Sequence, residues 1–182
     1  MMTNEKFELQ SPYTRGAEDG VVFGIYMTIM VFAMIFSIQI PLLNLLFIVQ
    51  LLMAPVLIFV MQRRYYVADN GFPTMSALWV QGLVMCGCGS LIAFGLSFVY
   101  MRWINPSYLD NTFAESIKIM RTSGVGNLVD YANEMDRLTG GYNPVSAIEF
   151  NMTMIWFVTL VGSLTSLVLS FVVSMIPIKK QK

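Results

Sequence analysis

Histidine is absent from this chain of 182 residues, and charged residues make up only 12% of it. The chain therefore lacks the commonest general base near neutral pH, which is also the commonest transition-metal ligand. The formal net charge is zero, which gives no indication of nucleic acid as a partner. P-loop, HExxH and Gly-x-Ser-x-Gly patterns are lacking too. We expect a protein that is not an enzyme and uses no cofactor and no metal.

Cysteine is also scarce, since the chain holds two, Cys86 and Cys88. Residues two apart on a helix point to nearly opposite sides. They are therefore not expected to share a metal or to close a disulfide within one regular helix. We interpret both as small packing residues.

Long apolar runs are what the chain has in place of charge. Hydrophobic residues make up 56% of it, and the stretches 20–62 and 70–101 are uncharged over 43 and 32 residues. About 20 helical residues cross the roughly 30 Å hydrocarbon core of a bilayer, so the first run fits two helices joined by a tight turn near Gln39 to Asn44. We predict an all-α integral membrane protein with four spans in two hairpins, at about 20–40, 43–62, 75–101 and 144–176.

The segment 102–143 is too polar to be a span, and the wider stretch from Arg102 to Glu149 carries six acidic and four basic residues. Apolar residues recur there at spacings of three and four, which predicts two short amphipathic helices between the third and fourth spans. Two interpretations are open: helices that lie on the membrane or cap the bundle, and a lid over a ligand. We interpret Asp130, Glu134 and Asp136 as a solvated acidic face rather than a metal site.

Basic residues predict the orientation. By the positive-inside rule, the side with more lysine and arginine is cytoplasmic. That side holds both termini and the turn after the second span, so segment 102–143 is expected in the periplasm of a bacterium with the spans in its inner membrane. The residues expected to set this topology are Arg63, Arg64, Lys179, Lys180 and Lys182.

Small residues recur every fourth position in three spans, a pattern that lets membrane helices approach closely. We expect the third helix to pack on two sides and the fourth to pack against it. The predicted packing residues are Gly20, Gly24, Gly82, Cys86, Gly89, Ala93, Gly162, Ser166 and Ser170.

Polar residues at the span ends leave two pairs of interpretations open. Arg102 and Glu149 both belong near the outer membrane boundary and either form an ion pair between the third and fourth spans or extend separately to the interface. A set of amides in the spans either binds helices together or lines a path: Gln39, Asn44, Gln50, Gln81 and Asn151.

Two segments resemble a family of membrane proteins found mostly in Bacteroidota, the domain of unknown function four-one-nine-nine. One segment comprises Asn105, Pro106, Ser107, Tyr108 and Leu109, and the other includes Gly71, Phe72, Thr74, Ser76, Trp79 and Gly82. The resemblance implies the fold and the membrane location for nearly the whole chain. It also suggests a membrane glycosyltransferase as a partner.

Two functions from different classes remain. The first is a non-enzymatic accessory or scaffold subunit of a membrane complex, embedded in the lipid bilayer and binding itself or another membrane protein. The alternative is a small transporter or channel component for an uncharged or lipid-like substrate. A lipid enzyme would need acidic or histidine residues that the spans lack.

Overall fold

The computed structural model describes residues 11–37, 40–123, 126–139 and 146–177, without the side chains of Met135, Asp136, Leu138 and Thr139. The described residues form six α-helices and one π-helical turn. These are α1 (Pro12–Phe36), α2 (Leu42–Ala68), α3 (Met75–Val99), the π turn (Tyr100–Ile104), α4 (Tyr108–Thr122), α5 (Gly126–Thr139) and α6 (Ala147–Met175).

Four of these helical segments are long and apolar enough to cross a membrane: α1, α2, Met75–Ile104 and α6, with 25, 27, 30 and 29 residues. The two short helices, α4 and α5, lie between the third and fourth of them. The predicted fold class is therefore confirmed, and the chain is a multi-pass membrane protein.

The first helix begins eight residues before the predicted span, at Pro12, which occupies its first turn. Proline suits this position because its fixed φ is helical and its missing N–H would have no partner there. Arg15, Glu18 and Asp19, which precede the predicted span, consequently lie on the helix, and Arg15 forms ion pairs with both acids.

The second helix continues through Arg63 and Arg64, which were expected in the turn, and ends at Ala68. The Asn70 N–H donates to the Val67 carbonyl and the Gly71 N–H to that of Tyr66, a Schellman ending. Asn70 and Gly71 have φ values of 53° and 81°, the left-handed region that asparagine and glycine accept most readily. The turn is thus confined to residues 69–74.

The chain forms two compact units, and unit 1 comprises Met1–Phe94 and Ile155–Lys182. Contacts along its helices fix their directions. Gly16, Gly20 and Gly24 of α1 face progressively later residues of α3, so these helices run in the same direction. Gly82 and Cys86 of α3 face Ser166 and then the earlier residue Gly162 of α6, so α3 and α6 are antiparallel.

Unit 2 comprises Gly95–Met154 and contains α4 and α5, which pack against each other. Leu109 and Ile117 of α4 are buried, as the apolar periodicity predicts. Ala132 is buried on α5, whereas the larger residues Leu128 and Tyr131 are exposed. A helix with alanine as its contact residue approaches its neighbour more closely than one with tyrosine there, because alanine adds no bulk.

Helix α6 begins with a reciprocal cap. The Glu149 N–H donates to Ser146 Oγ at 3.2 Å, and the Ser146 N–H donates to Glu149 Oε2 at 3.3 Å. This is a capping box of the Ser-x-x-Glu type, and it satisfies two backbone donors that a helix start leaves free.

Candidate functional site

Glycines on α1 bring it into direct contact with α3. A Cβ added at Gly20 would lie 2.8 Å from the Cys88 Cβ, and one added at Gly24 would lie 2.9 Å from the Ile92 Cδ1. On the other helix, a Cβ at Gly89 would lie 2.7 Å from the Phe23 ring. None of these positions has room for a side chain, so the glycines set the distance between the two helices.

The opposite side of α3 meets α6 through a second set of small residues. A Cβ at Gly82 would overlap the Ser166 hydroxyl, and one at Gly162 would lie 2.6 Å from the Cys86 Sγ. Ser90 and Thr159 share a hydrogen bond of 3.1 Å one turn further along. Ala93 is completely buried. The third span therefore has helices on two sides.

Gln62 of α2 connects three helices at a fully buried position. Its Nε2 lies 2.7 Å from the Ser166 Oγ and 3.0 Å from the Ser170 Oγ, both on α6. The same nitrogen lies 3.1 Å from the Leu78 carbonyl on α3. The amide is therefore surrounded by acceptors from both neighbouring helices.

A buried carboxylate lies on α1. Gln81 of α3 donates from its Nε2 to Asp19 Oδ2 at 2.7 Å, and the Arg15 Nε lies 3.3 Å from the same oxygen. The Asp19 side chain is 9% exposed and that of Arg15 is 20% exposed. Burial of a charge requires such partners, because an isolated ion is poorly solvated among helices.

These side chains form a polar layer to which all four spans contribute, and we call it the glutamine layer. Apart from Arg15, which is in the first turn of α1, its members lie about 8 to 14 Å from the helix ends, at 1.5 Å per residue. Spans of 25 to 30 residues are longer than the roughly 30 Å hydrocarbon core is thick, so the layer is close to the edge of that core. The members are Arg15, Asp19, Gln62, Gln81, Ser166 and Ser170.

The first predicted span begins after Asp19 and the second ends at Gln62, and neither residue was predicted as part of a site. One signal for Asp19 was available, because the stripe of small residues every fourth position begins at Gly16. That stripe requires the helix to start before the uncharged run. For Gln62, no local pattern distinguishes a buried amide from one at the end of a span.

Arg63 binds the end of α6. Its two terminal nitrogens donate to the Ile176 carbonyl at 2.8 Å and to the Pro177 carbonyl at 3.0 Å, and its guanidinium lies 5.5 Å from the centre of the Tyr66 ring. Both carbonyls directly follow α6, which ends at Met175, and they therefore lie at the partially negative end of that helix, where a guanidinium is favourable. Arg64 is exposed, and Lys179, Lys180 and Lys182 lie outside the described residues.

An apolar groove of about 190 Å³ lies in unit 1 beside the helices just described, and all four spans contribute to its wall. The wall includes Phe23, Met27, Ala54, Ile58, Cys86 and Val161.

The other amide residues of the spans do not lie together. Asn44 is exposed, and the backbone carbonyl of Gln50 accepts a hydrogen bond from the Tyr26 hydroxyl. Asn151 is buried and donates to the Ala147 carbonyl at 2.7 Å on its own helix. Gln39 lies outside the described residues. The described amides are thus not gathered along one path.

Arg102 and Glu149, for which an ion pair between the third and fourth spans was one of two interpretations, are both exposed. The Glu149 carboxylate instead caps its own helix through Ser146. Among the residues that the structure describes, no ion pair joins Arg102 to Glu149.

Asp130 and Glu134 of unit 2 lie on an open polar surface of α5. Asn127, Asp130, Tyr131 and Glu134 line a shallow depression there. Within the described ranges, no group of three His, Cys, Asp or Glu residues could hold a metal ion. On α4, burial raises the pKa of Tyr108 above its ordinary value.

The two segments that carry the family resemblance lie at connections between helices, and the second continues into the first turns of α3. The Tyr108 N–H donates to the Asn105 carbonyl, which turns the chain from the third span into α4. In the other segment, Thr74 Oγ1 accepts from the Ala77 N–H and caps α3. Trp79 then donates from its indole nitrogen to the Ser163 Oγ on α6.

A family model described as Protein of unknown function (DUF4199) matches residues 18–176, a range that includes nearly all of the four spans. No curated protein and no solved structure matches the chain.

Proposed function

The chain belongs to the DUF4199 family of membrane proteins of unknown function, and we propose that it is a non-enzymatic accessory or scaffold subunit that binds another membrane protein. Its place is the inner membrane of a bacterium, with both termini cytoplasmic and segment 102–143 periplasmic. The count of basic residues supports this orientation. Support for a non-enzymatic role comes from the lack of histidine and from the bonding of Asp19 to Arg15 and Gln81.

One observation carries the proposal: the first half of α2 has little packing within its own chain. No residue of 42–57 is buried, and within the apolar part of α2 only 6% of residues are buried, against 50% for α1. The buried residues of this helix all belong to its second half, from Ile58 onwards. The first half therefore offers a surface to a second helix.

The exposed residues of that half have a spacing suited to helix packing. Leucine and valine recur at alternating intervals of three and four, the spacing with which side chains of one helix fit between those of another. In lipid such contacts are driven by packing rather than by the hydrophobic effect, so the shape of the stripe matters more than its apolar character. We call this surface the outer stripe of α2: Leu42, Leu45, Val49, Leu52 and Val56.

Purification from native membranes tests the proposal. The tagged full chain, extracted in mild detergent, is expected to carry a second membrane protein in a fixed ratio, and a membrane glycosyltransferase is the partner that the family resemblance suggests. Leu52→Trp should release the partner, because the indole does not fit a leucine-sized gap between helices. Ile25→Trp, at a similarly exposed position of α1, is the matched control and should retain it. A wild-type monomer without any partner would refute the proposal, and a homodimer would replace the partner with a second copy.

Asp19 favours a transporter component as the second candidate. An ionisable residue in a membrane span commonly marks a proton or substrate path. If the carboxylate has this role, Asp19→Asn should abolish uptake or efflux while the protein stays folded. If the role is structural, Asp19→Asn should lower the stability of the protein. In that case neither the wild type nor the variant should transport a substrate across reconstituted vesicles above background.

A further inference from the structure

We propose that the apolar groove of unit 1 binds one acyl chain of a bilayer lipid. The inference does not depend on the accessory role, since it concerns a different surface. The groove lies between α2 and α6, with α1 and α3 behind it, and it is lined by apolar side chains. Its ligand class follows from its location, its opening and its chemistry.

Location restricts the occupant. The lining residues belong to the four candidate membrane spans, and Ala54 and Ile58 lie near the middle of α2. Lipid chains are the abundant apolar solute at this depth, whereas water does not fill apolar cavities. A dry cavity of about 150 Å³ lined by leucine, isoleucine and phenylalanine is known to bind benzene. A groove of about 190 Å³ offers similar room for a segment of hydrocarbon.

The groove is open on the side that faces lipid. Three lining residues are about half exposed or more: Leu51 on α2, and Phe157 and Val161 on α6. The two helices on which they lie are also the least buried of the four spans. A chain of a neighbouring lipid can therefore enter from the side without any rearrangement of the helices.

The groove ends at the glutamine layer, where α2 and α6 are fastened together. Gln62 contacts Ser166 and Ser170 there, and Arg63 binds the end of α6. These bonds hold the two helices at one end. The groove lining begins at Ile58, one turn before Gln62, and at Thr165, directly before Ser166. The geometry therefore fits a single chain that lies along the groove and stops below the amide.

Packing provides the driving force. Lipid tails are as apolar as the lining, so moving a chain out of the bilayer gains no hydrophobic free energy. An unfilled groove, however, leaves its lining atoms without contact partners, and a chain restores those contacts. Occupancy should consequently depend on the free volume of the groove and hardly at all on the lipid headgroup.

Photocrosslinking tests this site on the full chain. The protein is reconstituted in nanodiscs of phosphatidylethanolamine and phosphatidylglycerol that contain a small fraction of phosphatidylcholine with a diazirine in one acyl chain. After irradiation, adducts are mapped by peptide mass spectrometry. We expect enrichment of adducts at Ala54, Ile58 and Val161 over the outward-facing Leu164 and Val168 by about tenfold, the ratio that 1.4 kcal/mol gives.

Matched variants distinguish a groove from general contact with lipid. Ala54→Phe fills the groove and should lower the adducts at Ile58 and Val161 by about tenfold. Val60→Phe adds the same ring at an exposed position of α2 outside the lining and should leave them unchanged. The smaller Ala54→Leu should give an intermediate loss, which keeps the test valid if Ala54→Phe does not fold.

Two results would overturn the proposal. One is an even spread of adducts over lining and outward-facing positions, which indicates ordinary contact with the bilayer. The other is labelling of the groove by a protein segment rather than by lipid when the photoreactive group is placed at Ala54 in native membranes.

Discussion

Replacing Gln62 with methionine should weaken the four-span unit by about 1.2 kcal/mol. Methionine keeps the length of the side chain and removes the amide. The Gln62 Nε2 carries two hydrogens, so it forms at most two good hydrogen bonds among four acceptors within 3.2 Å. Hydrogen bonds between membrane helices average about 0.6 kcal/mol each, with a maximum of about 1.7, which sets an upper value of about 3.4 kcal/mol for two.

Two features keep the expected loss of stability near the value for two average hydrogen bonds, about 1.2 kcal/mol. Ser170 Oγ still donates to the Ser166 carbonyl at 2.7 Å after the substitution, so that hydroxyl keeps a partner. The Gln62 Oε1 is buried without a hydrogen-bond partner, and its removal offsets part of the cost. The net loss should lower the equilibrium constant for folding by about eightfold.

Forced unfolding of single molecules in bilayers, or reversible unfolding in bicelles, measures this change. Gln50→Met is the control. Gln50 lies on the same helix, its amide oxygen also has no partner, and only its backbone carbonyl accepts the Tyr26 hydroxyl. A Gln62→Met protein as stable as the wild type, or a Gln50→Met protein weakened equally, would refute the assignment of Gln62 as the amide that joins three helices.

Three further predictions concern packing, capping and topology. Gly82→Ala should destabilise the unit by about 1 to 3 kcal/mol because its methyl group overlaps the Ser166 hydroxyl. Gly95→Ala is the control, since the added carbon meets no packing neighbour within 4 Å, and it should not destabilise the unit in the same unfolding assay. Arg63→Ala should speed amide hydrogen exchange in the last turn of α6, with Arg64→Ala as control, and equal exchange in both would contradict the capping role. In a Cys-free background, Asp130→Cys should react with an impermeant reagent from outside and Arg64→Cys should not, and the reverse pattern would invert the topology.

The architecture follows from the sequence because it depends on local quantities. The length of a charge-free run and the bilayer thickness together determine the number of spans, and the first run of 43 residues divides correctly into α1 and α2. The polar insert divides at its glycines into α4 and α5. Stripes of small residues likewise indicate faces of close approach, since only small side chains allow it.

The glutamine layer and the groove depend on how four helices are arranged around one another, which no single stretch encodes. Gln62 and Gln81 look alike in sequence, yet one contacts α6 and the other contacts Asp19 of α1. Asp19 escaped prediction because helix α1 extends beyond the uncharged run, with its charge balanced by Arg15 one turn away. The groove forms where α2 and α6 leave space beside Cys86, and no spacing of residues along one helix indicates it.

The central claim is that another membrane protein covers the outer stripe of α2, and photocrosslinking in native membranes tests it most directly. A photoreactive residue at Leu45, which is 59% exposed, should give one adduct of defined mass with a second membrane protein. The same residue at Ile25, 57% exposed on α1, should give lipid adducts alone. Lipid adducts alone at both positions would contradict the claim.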